Sequence, residues 1–112
     1  MEKKDENKAA AYAQIKALGG NSTEAIKSIE TGIGTVDVKV WTEPDFTDLK
    51  KEGGQVTERP YVYRAMLDGV NIPVQVRQKI DDAVHETAAA AFEKTKQIVE
   101  KYAEALKAVE EL

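Results

Sequence analysis

His85 is the one histidine of the chain, and Asp81, Asp82 and Glu86 stand close to it in sequence. On a helix these residues could supply a His/carboxylate ligand pair for a cation. Zinc, however, wants three or four convergent ligands, and one imidazole with scattered acids falls short of that. The expectation is a partly buried structural histidine. A second acidic group, Glu43, Asp45 and Asp48, lies in the stretch EPDFTDLKKEGG. It has neither the ligand spacing nor the central glycine of an EF-hand loop. Capping explains it more simply, with Asp45 opening a short turn that closes on Lys50 and Lys51 before Gly53. Neither a metal site nor a cofactor is expected.

Other catalytic signatures are missing from the sequence. It contains no GxSxG, HExxH, P-loop or dinucleotide fingerprint, and with no cysteine it has no thiol nucleophile, thiolate site or disulfide. Gly32 and Gly34 precede a strand rather than a helix, the wrong order for cradling phosphate. A histidine-dependent enzyme would need Glu43, Asp45 or Asp48 carried to His85 by folding or assembly. A non-enzymatic protein is expected.

Binding chemistry is better represented. Residues 35–42 alternate strictly, with Val36, Val38 and Val40 on one face and Asp37, Lys39 and Trp41 on the other. Residues 61–76, YVYRAMLDGVNIPVQV, read as a hairpin turned at Asp68-Gly69, the favoured dipeptide of a type I′ turn. That register pairs Leu67 with Val70, Ala65 with Ile72, Tyr63 with Val74 and Tyr61 with Val76 on a buried face. Val62, Arg64, Met66 and Asn71 fall on the opposite face, and Pro73 marks the second strand as an edge. Strand 35–42 is expected to pair with 61–67. The second sheet face then carries Trp41, Lys39, Val62, Arg64 and Met66, residue types enriched in protein-binding patches. A different chemistry is open to Tyr61, Tyr63 and Arg64, which could stack on and pair with an anionic or nucleotide-like ligand between subunits.

The helical segments complete the architecture. A short helix over 4–18 carries Tyr12, Ile15 and Leu18 on one side and ends at Gly19-Gly20. Asn21, with Glu24 three residues on, reads as the cap of a second helix carrying Ala25, Ile26 and Ile29 and closing at Gly32. Its balanced charges speak against helix-turn-helix reading of DNA. From 77 to 112 no glycine or proline interrupts a stripe running through Val84, Ala88, Ala91, Thr95, Ile98, Tyr102, Ala105, Val109 and Leu112, widened by Phe92, Val99 and Leu106. A continuous helix of about 36 residues would span roughly 54 Å, against roughly 34 Å for a compact domain of this size. An overhang of about 20 Å follows from that difference. Its stripe, Ala91, Thr95, Ile98, Tyr102, Ala105, Leu106 and Val109, is expected to be covered by another copy.

The chain of 112 residues suits one domain, divided as 1–34 helical hairpin, 35–76 sheet and 77–112 long helix. The fold class is α+β: two short N-terminal helices, a three-stranded antiparallel sheet containing the 61–76 hairpin, and a long C-terminal helix. Net charge is −4, with 42% hydrophobic and 32% charged residues, a globular composition that disfavours nucleic acid and anionic membranes as partners. The N-terminus lacks the apolar run of a signal peptide and no segment reaches about 20 apolar residues, so the cytoplasm is the expected location. The function expected is a self-associating interaction protein, an adaptor, inhibitor or assembly component. A small-ligand binder is the alternative.

Overall fold

The computed structural model describes residues 3–21, 23–32, 34–45, 50–52, 55–58, 60–68 and 72–111. Helix α1 (Lys3–Ala17) is built from strong helix formers and ends in a Schellman motif. Gly20 N–H donates to Ile15 O and Gly19 N–H to Lys16 O, with Gly19 at φ +91°. A left-handed residue there suits glycine.

The second helix expected from Asn21 is instead strand β1 (Glu24–Thr31). Asn21 Oδ1 does accept from the backbone N–H groups of Thr23 and Glu24, as a helix cap would. A strand follows because Ala25 and Ile29, four apart, satisfy a period of two as well as one of 3.6. Pairing with β2 (Gly34–Pro44) brings them opposite Val40 and Val36 on one buried face. The β1–β2 pair is a β-hairpin, closed across Thr31↔Gly34.

Residues 43–54 were expected as a loop. Part of this stretch pairs: β3 (Lys50–Glu52) and β4 (Gln55–Glu58) make a separate two-stranded sheet. Asp48 and Gly53, invoked for a capped turn, lie outside the described residues.

Strand β5 (Tyr61–Asp68) completes a three-stranded antiparallel sheet of order β1-β2-β5; β2 is central and β5 an edge, whereas the expected hairpin would have put 61–67 in the middle. The 61–76 hairpin does not form. Pro73, at φ −60° and ψ 149°, instead stands at the N-cap of helix α2 (Val74–Asp81), and its carbonyl accepts from Val76 and Arg77. Ile72, Val76 and Ile80 explain the outcome. Val76 and Ile80, four apart, both reach the core from one side of the helix, with Ile72 buried just ahead of its N-cap, whereas an extended strand of this length would carry Pro73 inside its ladder. Asn71 and the Asp68-Gly69 turn beyond Asp68 lie outside the described residues.

The outer edge of β5 is occupied in another way. Tyr63 N–H donates to His85 O and His85 N–H to Tyr63 O, at 2.9 and 2.8 Å, while Arg77 Nη1 donates to Leu67 O. That bridge needs an extended segment between helices, so the long helix expected over 77–112 is broken. Asp82 caps α2, and Thr87 opens α3 (Ala88–Glu110) by accepting from Ala90 N–H. Val84, expected within the apolar stripe, is 60% exposed in the break.

All three helices gather on one face of the sheet. Ala11 and Ile15 of α1, Ile80 of α2 and Ala88, Ala91, Phe92 and Val99 of α3 share a single core with Ala25, Ile29, Val36, Val38, Val40, Tyr63, Ala65 and Leu67. Gln14 Oε1 accepts from Ala88 N–H at 2.9 Å, joining α1 to the start of α3. Lys27 also points to this face from edge strand β1, its ammonium 4.7 Å from the Phe92 ring centroid. An inward charge on an edge strand discourages pairing with another chain. The 23 residues of α3 span about 34 Å rather than 54 Å. Ala103 is its last buried position, so the overhang is only about two turns.

Candidate functional site

The face of the sheet turned away from the helices carries the richest exposed chemistry of the molecule. Strand pairing lays its side chains out in rows. Ser28, Asp37 and Asp68 form one row near the β1–β2 turn. Ile26, Lys39 and Met66 form the next, then Glu24, Trp41 and Arg64, and last Glu43 with Val62. The expected members Trp41, Lys39, Val62, Arg64 and Met66 therefore do share one face. Ile26 is 60% and Met66 39% exposed, on either side of Lys39. Two adjoining concavities share Lys39 and Met66: one of about 470 Å³ reaching Ile26, Asp37, Asp68 and Arg77, the other of about 250 Å³ reaching Trp41 and Glu24.

Polar contacts organise the far end of the face. Arg64 lies 5.9 Å from the Trp41 ring centroid, donates from Nη1 to Glu43 Oε1 at 3.4 Å, and from Nη2 to Asp81 O. Trp41 Nε1 donates to Glu43 Oε2 at 3.2 Å. Lys39 Nζ stands 3.0 Å from Glu24 Oε2. The two bases that the strands place on the open face are thus held by carboxylates of the same face. At half-exposed positions such pairs add at most about 1 kcal/mol each, so their main effect is to hold Trp41, Lys39 and Arg64 in place.

The near end is different. Asp37 and Asp68 are direct cross-strand partners. Asp37 Oδ1 accepts a hydrogen bond of 2.5 Å from the Ser28 hydroxyl, and Asp68 has neither ion pair nor hydrogen bond from its side chain among the described residues. Like charges directly opposite each other destabilise a sheet. Asp68→Asn should therefore raise stability by about 0.2–1 kcal/mol, read as a higher urea midpoint at neutral pH and low salt. An unchanged or lower midpoint would mean the carboxylates do not oppose each other in solution.

His85 sits behind the sheet, buried, with Nε2 lacking a hydrogen-bond partner among the described residues. Burial, with the charge of Lys94 adding to it, pushes the imidazole below its ordinary 6.5. The unfolded chain then takes up the proton first on acidification, so stability is full above about pH 6.5 and falls as pH drops below it. His85→Gln should flatten that part of the stability–pH curve, measured by urea midpoints between pH 5 and 8. A curve of unchanged slope would contradict the burial.

Tyr61, Tyr63 and Arg64 are not brought together. Tyr63 is buried on the helix side, where burial pushes its phenol above 10.0, and Tyr61 packs on the same core. Arg64 points to the opposite face. In α3, Ala91 and Thr95 are buried in the chain's own core and Ile98 packs against it, while Tyr102 and Leu106 are half-buried and Ala105 and Val109 exposed. A copy-to-copy contact could use only the last four of these. Sequence reading missed Ile26, which it placed on a helix, and Asp68, taken as a turn residue. The signal for Asp68 was its parity with Arg64 and Met66.

Among the described residues, no three His, Cys, Asp or Glu side chains gather as a metal site needs, and no helix is long and apolar enough to cross a membrane. Comparison with protein-family models, with curated proteins and with solved structures gave no match. The fold and its site define the protein only as an α+β structure with one sheet face that no described helix covers.

Proposed function

We propose that this chain is a non-enzymatic protein-interaction module whose working surface is the open face of its sheet. One observation carries the reading: Ile26, Met66 and Trp41 surround Lys39 as a group of apolar side chains on a face that no described helix covers. Sheets normally bury both faces or solvate one with polar side chains. Exposed apolar side chains interleaved with charges held in fixed pairs suit a binding patch. The test is site-specific photo-crosslinking in the producing cell. A photoreactive residue at Ile26 or Met66 should give one discrete protein adduct, and one at Glu93 on α3 should give none. Equal adducts from both faces, or none from either, would refute the reading.

Self-association is a second reading, supported by the exposure of Val109, at 64%, beyond the last buried turn of α3. Light scattering decides it. A parent dimer that Val109→Glu converts to monomer supports self-association; a parent monomer at tens of micromolar removes it. The concavity of about 470 Å³ beside Met66 favours a small ligand as a third reading. A thermal-shift screen with nucleotides and metabolites would reveal it, since ligand at about 100 Kd adds about 2.7 kcal/mol.

A further inference from the structure

Resting on that reading of the open face, we propose that its partner is a basic amphipathic α-helix. Its apolar stripe would lie over Ile26, Met66 and Trp41, with lysine or arginine side chains reaching Asp37 and Asp68.

Charge selects a basic partner. Arg77 of α2 lines the concavity beside Asp37 and Asp68, but by strand parity the sheet face itself carries Glu24, Glu30, Asp37, Glu43 and Asp68 against the two bases Lys39 and Arg64. Those two bases are already engaged by Glu24 and Glu43. The surplus is negative, and it is sharpest where Asp37 and Asp68 oppose each other across the strands. A cation placed between them would turn a repulsive pair into an attractive triad. A second copy is the wrong occupant for the same reason: it brings the same acidic face and a net charge of −4.

Geometry selects a helix. Three strands place their outer axes about 10 Å apart, close to the width of a single helix. Successive rows along a strand are about 6.8 Å apart, near the 6 Å that separates positions i and i+4 on a helix. An extended segment laid across the face would bury backbone N–H and C=O groups with no partners. It would find them at a strand edge, and at β1 the inward Lys27 opposes strand addition while His85 and Arg77 already bond the edge of β5. A helix satisfies its own backbone, so the face can be covered without that cost. The result is a third layer on the sheet, the common way of closing its second side.

The test uses two synthetic helical peptides of about 18 residues, with leucine at i, i+4 and i+7 of each turn pair. One carries lysine at the remaining positions and its twin carries glutamate. Titration is followed on the amide spectrum of the full chain. The lysine peptide is expected to shift Ile26, Lys39, Trp41, Met66 and Asp68, to weaken as salt rises, and to bind the Asp37→Asn/Asp68→Asn variant at least tenfold less tightly. The glutamate twin should leave the spectrum unchanged. Equal binding of both peptides, undiminished binding to the double variant, shifts on the helical side, or no binding at millimolar peptide would each overturn the proposal. Concentration-dependent shifts of the same residues without peptide would overturn it too, by making a second copy the occupant. If crosslinking at Met66 still captures a discrete protein in any of these cases, the interaction module stands and only its partner chemistry is wrong.

Discussion

Ile80→Ala should lower the stability of the protein by about 2–5 kcal/mol. Ile80 is the one fully buried residue of α2 and belongs to the common core. Truncation removes three carbons of transfer free energy and leaves a void that the short helix cannot close, because Arg77 and the His85 bridge hold its flanks. Total stability for a domain of this size is about 5–15 kcal/mol, so the loss is a large share of it. Urea unfolding followed by circular dichroism measures it directly. A loss under about 1 kcal/mol would mean that Ile80 is not enclosed and α2 is not docked where described. Val74→Ala on the exposed side of the same helix is the internal control and should change little.

Gly20→Ala should be nearly as damaging. A Cβ at Gly20 would stand 2.3 Å from Glu24 O and 2.6 Å from Ala25 Cβ. The first of these is backbone of the edge strand and cannot swing aside as a side chain could. Relief requires moving the start of β1 away from α1, and overpacking of this kind costs about 1–3 kcal/mol. Gly19 makes a useful contrast: it has open space around it but a positive φ, so Gly19→Ala meets backbone strain of about 1 kcal/mol without a clash. The expected order of melting temperatures is parent, then Gly19→Ala, then Gly20→Ala. The reverse order would mean that α1 and β1 do not approach at Gly20.

The elements legible in the sequence were those whose pattern admits one period. Strand β2 alternates over Val36, Val38 and Val40 without exception, and it is a strand with those valines on its buried face as that pattern implies; its central place in the sheet was not legible, because β1 was read as a helix. The pairing of β2 with 61–67 was also legible, and with it the shared face of Trp41, Lys39, Val62, Arg64 and Met66. The misread elements were those whose apolar spacing of four fits two periods. Ala25 and Ile29 suit a helix or a strand, and only pairing with Val40 and Val36 decides for the strand. Ile72, Val74 and Val76 alternate like a strand, while Ile72, Val76 and Ile80 step like a helix. The helix prevails by burying Ile80 and putting Pro73 at its start. The break between α2 and α3 had no glycine or proline to announce it. Its cause is tertiary, the exchange of hydrogen bonds between His85 and the free edge of β5. The candidate site was legible in half for the same reason. Residues on β2 and β5 could be placed, and Ile26 on misread β1 could not.

The most direct test of an uncovered apolar sheet face is the oxidation rate of Met66 by dilute peroxide, resolved by peptide mass spectrometry. Met66 and Leu67 are neighbours on opposite faces, one exposed and one buried, so the result reports a face and not a region. In the purified protein, Met66 should form sulfoxide within several-fold of the rate of free methionine, independent of protein concentration, with the fold intact by circular dichroism. Strong protection at low micromolar concentration would contradict the open face, and protection that appears only as concentration rises would assign that face to a second copy.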